Sequence, residues 1–336
     1  MTLRVAINGY GRIGRNVLRA FFESGTHPGL EFVAINDLGQ AEALAHLTRY
    51  DSTHGRFGGE VVLAGNALRI NGQELQLFNE PLPENLPWAA LGIDVVLECS
   101  GQFRARAEAA RHLAAGAKKV IIGAAPFDDV DATLVYGVNH ESVRAQDRII
   151  SSVSCTTQAL AVLVKLLDDA FGVESGLMTE IHAVTSDQVV LDHTHRDLRR
   201  ARAAGNNIIP TTSSSIGALR RVLPEVGQRI EGYSLRVPTQ NVAAVDFNFV
   251  GREAMSVAAI NRLFAERAAA STDGVLGYCD ELLVSSDFNH SPYSLIFDAT
   301  ETRIVGRQAK VLVWYDNEWG YANRLLDLCS YLSRRG

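Results

Sequence analysis

The sequence predicts an α/β protein in two parts: an N-terminal doubly wound parallel sheet, followed by a C-terminal α+β domain with a mixed or antiparallel sheet. Three observations predict it. The first part of the chain alternates short apolar strands with helical stretches, the rhythm of a parallel sheet wound on both faces. From Leu177 onward long alternating β runs follow with few helices between them. Finally, 336 residues exceed what one hydrophobic core usually organises. Apolar content of 47% with 21% charged residues fits a globular protein. A net charge of −6 gives no reason to expect nucleic acid or a membrane surface as partner. Four cysteines, Cys99, Cys155, Cys279 and Cys329, lie far apart with no C-x-x-C spacing, so neither a disulfide framework nor a metal site is expected. The opening residues lack the succession of a signal peptide, and no apolar run reaches membrane length; a cytoplasmic protein is the expectation.

Leu3–Asn8 reads as a strand that ends in Gly9-Tyr10-Gly11-Arg12-Ile13-Gly14, and a helical pattern follows through Val17, Leu18 and Phe21. G-x-G-x-x-G between a strand and a helix is the context of a dinucleotide site. The glycines allow a tight turn and close approach of backbone to pyrophosphate, which the helix N-terminus then faces. A second strand, Glu31–Asn36, closes at Asp37, placed to bond ribose hydroxyls and to repel a 2′-phosphate, so NAD is expected over NADP. Residues 59–82, with Asn71-Gly72 between alternating runs, look like a hairpin excursion. Asp94–Gly101 is a buried-type strand, 105–115 a helix stopped by Gly116, and Lys119–Gly123 the next strand. A Rossmann domain of this kind binds its ligand at the carboxyl ends of its strands. Here those ends are Gly9–Gly14, Asp37, Ser100-Gly101 and Gly123-Ala124. Cys99 reads as core.

At Ser154-Cys155-Thr156-Thr157 a polar cluster runs into an apolar helical pattern that reaches Phe171. A cysteine at a helix start meets free N–H groups and partial positive charge, which favour a nucleophilic thiolate. The alternative is a small packing cysteine, with which Ser and two Thr are poor company. His182 lies on the alternating run Leu177–Val184; it is either a satisfied core histidine or the base beside that cysteine. Arg196–Arg202 is a basic cluster that serves as a solvated face or holds phosphate. Strands at Leu235–Pro238, Val242–Phe249 and around Val311–Tyr315 precede a last helix, 325–332, that could pack back on the first domain. Cys279 and Cys329 read as packing residues.

With these pieces placed, the chain resembles the glyceraldehyde-3-phosphate dehydrogenase family over essentially its whole length. The motifs are AINGYGRIGR, AINDL, YDSTHGRF at 50–57, SCTT at 154–157, RRARAA at 199–204, LRVPTQNV at 235–242 and WYDNEWGYANRLLD at 314–327. Stretches such as KLLDDAFGVESG and GVLGYCDE resemble the close erythrose-4-phosphate dehydrogenase branch. The resemblance implies an NAD-binding Rossmann domain over 1–153, a catalytic domain over 154–317 and a C-terminal helix, 318–336, returning to the first domain. It implies Cys155 as nucleophile and His182 as base, passing through a hemithioacetal and a thioester. Gly9, Gly11, Arg12, Ile13, Gly14, Asp37, Ser100, Gly101 and Asn317 would serve the cofactor, Asn317 by orienting the nicotinamide amide. Thr185, Asp187 and Arg236 resemble the group that holds the substrate's C3 phosphate. Ser154, Thr156, Arg200 and Ser213 resemble the second anion site, for the attacking inorganic phosphate. A homotetramer is the family's usual state.

Several positions depart from the family's pattern. Gln158 stands for Asn and Ala159 for a second cysteine, which could change the hydrogen bonding of the first helical turn. Ser213-Ser214 stands for Thr-Gly, and losing that glycine could strain the loop, because other residues resist positive φ. His193-Thr194 replaces the Leu-Pro that lines the adenosine ribose, which makes NADP tolerance conceivable although Asp37 opposes it. Thr185 is atypical of the erythrose-4-phosphate branch, so the three-carbon substrate is favoured, with phosphate releasing the acyl group. The alternatives are an erythrose-4-phosphate dehydrogenase that hydrolyses its thioester and a non-catalytic NAD-binding paralogue. A semialdehyde dehydrogenase also pairs a Rossmann domain with a cysteine, but has no need of Arg200 and Arg236.

Overall fold

A computed structural model describes residues 2–335 and divides the chain into two compact units. The first comprises residues 1–154 with 322–336, and the second residues 155–321. In the first unit β1 (Leu3–Asn8), α1 (Arg12–Ser24), β2 (Leu30–Asn36) and α2 (Ala41–Arg49) come first. The short ribbon β3 (Tyr50–Asp51) and β4 (Gly55–Arg56) follows, then β5 (Val61–Ala64), β6 (Ala67–Ile70) and β7 (Gln73–Phe78). Next come β8 (Val95–Glu98), α3 (Arg106–Ala114), β9 (Lys119–Ile122), β10 (Ala132–Thr133) and β11 (Ile149–Ser151).

The main sheet of this unit runs β10-β11-β9-β8-β1-β2-β7-β6-β5, parallel throughout except for the antiparallel pairs β5–β6 and β6–β7. Residues 59–82 are therefore no excursion. Asn71 and Gly72 both take positive φ, 48° and 85°, as a tight hairpin turn requires, and β7 then pairs with β2 and extends the sheet. The strands are apolar along their length because helices cover both faces. Val5, Ile7, Phe32, Ile35, Val96, Leu97, Ile121 and Trp88 are completely buried. Each such side chain contributes about 1.5–3 kcal/mol relative to exposure.

The second unit opens on α4 (Cys155–Phe171), followed by β12 (Val173–His182), β13 (Ile209–Thr211), α5 (Ser215–Val222) and the single turn α6 (Pro224–Gly227). Then come β14 (Ile230–Arg236), β15 (Ala243–Gly251), α7 (Val257–Ala270), β16 (Leu276–Cys279), β17 (Leu295–Val305) and β18 (Gln308–Tyr315). The last helix, α8 (Trp319–Arg335), runs on into the first unit's share of the chain and is longer than its apolar pattern suggests. The sheet order is β13-β14-β12-β15-β18-β17-β16, with β12–β14 and β16–β17 parallel and the rest antiparallel, so it is mixed. Residues 156–164 of α4 are buried without a break. A helix apolar on all sides belongs inside a core, and α4 packs against β12, β15, β17 and β18. Its first residue is thereby held rigidly.

Candidate active site

The glycine loop lies where the strand order switches, between β1 and β8. Gly9 has φ of +89°, and a Cβ there would stand 2.3 Å from the backbone nitrogen of Ser100. A Cβ on Gly14 would stand 2.3 Å from the Gly9 carbonyl, which forces α1 close onto β1. Gly11, by contrast, faces open space at the N-terminus of α1, where first-turn N–H groups point outward. That is a cradle for a pyrophosphate. Arg12 spends its side chain on Asp51, whose carboxyl is held far below the usual range. Burial opposes this shift, but Arg12 and the N–H groups of His54 and Thr53 outweigh it. Arg12 and Ile13 thus offer the cradle their backbone. Asp37 follows β2 and accepts from the Tyr10 and Gly39 N–H groups at 2.7 and 2.8 Å, which fixes its carboxylate beside the loop.

Ser100 and Gly101 are set by a buried carboxylate that sequence reading passed over. Glu98, 1% exposed, accepts from the Ser100 N–H at 2.8 Å, from Asn8 Nδ2 at 2.5 Å and from His112 Nε2 at 3.1 Å. His112 Nδ1 in turn accepts from Trp88 Nε1 at 3.0 Å, which leaves Nε2 as the nitrogen that donates to Glu98. The signal in the sequence was a charged residue inside an apolar strand.

In the second unit, Cys155 is the first residue of α4 and follows a strained approach. Val153, buried and β-branched, has φ of +50°, a conformation that costs about 1–3 kcal/mol and recurs at functional sites. Cys155 Sγ lies 3.5 Å from His182 Nε2, at the end of β12. His182 Nδ1 lies 2.8 Å from the Ala183 carbonyl, and the tautomer that donates to it leaves Nε2 bare toward the sulfur. Arg236 Nη1 stands 3.0 Å from the same Nδ1, on the neighbouring strand β14. Burial and the Arg236 charge hold the imidazole below its ordinary range, while Glu180 pulls the other way. Burial, reinforced by Glu180, pushes the Cys155 thiol up to about 12, against the pull of Arg236 and of Thr156. The helix start and Arg236 favour a thiolate, and desolvation opposes them. Burial raises the thiol and lowers the imidazole, so it opposes charge on both partners of the pair.

The arginines converge on this pair. Arg200 donates from Nε to Thr211 Oγ1 at 3.0 Å and from Nη1 to Asp187 Oδ2 at 2.5 Å. Its charge, like that of Arg236, reaches His182. Asp187 and Arg200, which the resemblance divides between two anion sites, are therefore direct partners here. The buried Nε of Arg236 and Nε2 of Gln188 have no partner in the structure, nor does Thr239 Oγ1. Buried donors of this kind await an acceptor. Thr185 lies just beyond β12, its N–H directed to Gln188 Oε1 at 3.3 Å. Ser213 Oγ bonds Ser215 Oγ at 2.5 Å at the start of α5. Ser214 has φ of −74°, so replacing glycine there introduces no positive-φ strain. Thr156 directs its buried hydroxyl to Glu180 Oε1 at 2.9 Å, so an anion would meet it only through its backbone. Gln158 is buried in α4, and Ser154 ends the first unit directly before Cys155. Asn317 is 5% exposed, and its Oδ1 has no partner.

Comparison with known proteins identifies the family. Residues 3–106 match the family description "Glyceraldehyde 3-phosphate dehydrogenase, NAD binding domain", and residues 154–317 match "Glyceraldehyde 3-phosphate dehydrogenase, C-terminal domain". A relative from Cupriavidus necator, "Glyceraldehyde-3-phosphate dehydrogenase, plasmid", is 52% identical over 327 residues, 97% of each chain. The "chromosomal" relative from the same organism is 51% identical over the same share of both chains. The chain belongs to the glyceraldehyde-3-phosphate dehydrogenase family. It is an NAD-dependent oxidoreductase, and NAD is its cofactor. As a member of this family it fits the cofactor: the cradle at Gly11 is open, and Asn317 Oδ1 is a buried acceptor suited to an amide N–H. Among the described residues no helix is long and apolar enough to cross a membrane, and no His, Cys, Asp and Glu cluster could hold a metal.

Proposed function

We propose that this protein oxidises glyceraldehyde 3-phosphate to 1,3-bisphosphoglycerate, through a thioester on Cys155 that inorganic phosphate releases. The observation that carries the reading is the Cys155–His182 pair at 3.5 Å, with Arg236 against the imidazole and Arg200 bonded to the neighbouring Asp187. NAD supplies the hydride acceptor, held by the Gly9–Gly14 cradle, Asp37, Ser100 and Gly101, with Asn317 receiving the carboxamide.

The chemistry of the chain's own residues follows from the facing of Cys155 and His182. His182 Nε2, which faces Cys155 at 3.5 Å, takes the thiol proton as sulfur attacks the aldehyde carbon. That proton passes to the aldehyde oxygen, giving a hemithioacetal. When hydride leaves the carbon, His182 takes the hydroxyl proton and the carbon becomes a thioester. Phosphate then attacks the carbonyl carbon, the carbon–sulfur bond breaks, and the sulfur recovers a proton from the imidazolium. Arg236, with Thr185 and Asp187, orients the substrate's phosphate. Arg200, with Ser213 and the backbone of Ser154 and Thr156, receives the attacking one. Arginine suits both places because its planar donors pair with phosphate oxygens.

A two-by-two assay tests this reading: NADH formation from glyceraldehyde 3-phosphate and from erythrose 4-phosphate, each with and without inorganic phosphate. The expected result is a preference for the three-carbon aldehyde and a strong dependence on phosphate. Phosphate-independent turnover with erythrose 4-phosphate preferred would make it a hydrolytic erythrose-4-phosphate dehydrogenase. No turnover with either aldehyde would leave a non-catalytic NAD-binding protein.

A further inference from the structure

Three serines, Ser213, Ser214 and Ser215, lead from β13 into α5. Ser215 is completely buried, whereas Ser213 is half-buried. Each hydroxyl has one proton to donate and two lone pairs with which to accept. Ser213 Oγ and Ser215 Oγ lie 2.5 Å apart, and the Ser215 N–H donates to Ser213 Oγ at 3.3 Å. Among the described residues, Ser213 Oγ is the one acceptor within reach of the buried Ser215 hydroxyl. A buried proton left without an acceptor is costly, so Ser215 donates and Ser213 accepts. Two donors then occupy both lone pairs of Ser213 Oγ, and its own proton is left for the open side. The same stretch of chain holds Arg200. Arg200 Nε donates to Thr211 Oγ1 at 3.0 Å, the Thr211 hydroxyl donates to Asp197 Oδ2 at 2.8 Å, and Arg200 Nη2 reaches the Thr212 carbonyl at 3.5 Å. One short segment therefore fixes both the guanidinium and the Ser213 hydroxyl.

We propose that Ser215 is a positioning residue for the attacking phosphate: by donating to Ser213 Oγ, it commits the Ser213 hydroxyl to act as a donor toward the anion that Arg200 receives. This rests on the reading above, in which Arg200 and Ser213 receive that phosphate. The charged oxygens of phosphate accept hydrogen bonds, so a hydroxyl serves them only with its proton turned their way. A serine free to rotate loses that freedom each time an anion arrives. A donor oriented beforehand does not, and it presents its proton without reorganisation. Ser215, with no exposed surface of its own, acts through Ser213 alone. Alanine at position 215 would leave the Ser215 N–H on Ser213 Oγ but free one lone pair, and with it the rotation of the hydroxyl.

The test is the steady-state rate of NADH formation at saturating glyceraldehyde 3-phosphate and NAD, with inorganic phosphate varied. The proteins are the wild type, Ser215→Ala, Ser213→Ala and the double variant; alanine suits the first turn of a helix, so α5 is kept. Ser215→Ala is expected to raise KM for phosphate about two- to tenfold, the worth of one ordinary hydrogen bond, while KM for the aldehyde and for NAD stays as in the wild type. In the Ser213→Ala background the same substitution should add nothing, because the hydroxyl it orients is gone. An unchanged phosphate KM in Ser215→Ala overturns the proposal. So does an effect of equal size in both backgrounds, or one shared by the aldehyde and NAD, since either would mean that Ser215 merely holds α5 in place. A wild type whose turnover is independent of phosphate would overturn the proposed phosphorolysis and, with it, this role of Ser215. A phosphate-dependent wild type with an unmoved Ser215→Ala would count against Ser215 alone.

Discussion

His182 carries the division of labour at the level of single residues. Its Nε2 faces the sulfur at 3.5 Å, its Nδ1 lies against the Ala183 carbonyl, and burial and the Arg236 charge hold the imidazole below its ordinary range. The acid limb of kcat/KM is therefore expected below the ordinary histidine range: a base whose pKa is depressed keeps its lone pair as the pH falls through 6.5. Replacing His182 by Asn should lower kcat by about 10²–10⁴ and abolish that limb. Cys155→Ser should leave NAD binding intact and remove oxidation. An acid limb that persists unchanged in His182→Asn would mean that another group is the base. At this scale the sequence was informative about identity and poor about state. Cys155 and His182 stand out by motif and periodicity. The desolvation of the pair does not, because it comes from the packing of α4, β12 and β18 and leaves no local trace in the chain.

At the scale of elements, the site is a set of strand and helix ends held by backbone geometry. The strand–loop–helix at Gly9–Gly14 was legible because glycine spacing reports a steric fact: Gly9 at φ of +89° admits no Cβ against the Ser100 nitrogen. Gly9→Ala should accordingly lower the thermal midpoint and weaken NAD binding, read by thermal melts with and without NAD. A midpoint and NAD-induced rise equal to those of the wild type would show that the loop tolerates the side chain. Other supports were hidden because they form only when strands meet. Asp316 is an example: Oδ1 accepts from the Glu318 and Trp319 N–H groups at 2.9 and 2.8 Å, capping the start of α8. Its Oδ2 accepts from Asn241 Nδ2 at 2.8 Å and from the His290 N–H at 2.6 Å. This one buried carboxylate ties three segments together and orients the next residue, Asn317. The pairing of β7 with β2 was hidden for the same reason, since a hairpin's alternation does not reveal which sheet edge it joins.

At the scale of the molecule, the two-part architecture followed from length and from the change in strand pattern, while assembly depends on surfaces that only the folded sheet defines. In the second unit's sheet, Met178, Glu180 and His182 face α4, so Leu177 and Thr179 face the other way, and Tyr233 lies opposite Thr179 in the register of β12 and β14. Leu177 is 65% exposed and Tyr233 51%, apolar groups on the sheet face opposite α4. A mixed sheet can leave one face to water, but such a face is then usually polar. The apolar side chains here fit burial against a second copy of the chain, and a face that meets itself closes by two-fold symmetry. One such face closes a dimer; the homotetramer that the family resemblance implies needs a second interface, and its mass would be about four times that of the 36.5 kDa chain by light scattering on a sizing column. Leu177→Asp, which places a charge at the centre of that face, should release smaller species while the circular dichroism spectrum stays unchanged. A wild type that elutes as a monomer would rule the assembly out, and a Leu177→Asp protein that keeps the wild-type mass would place the contact on another surface.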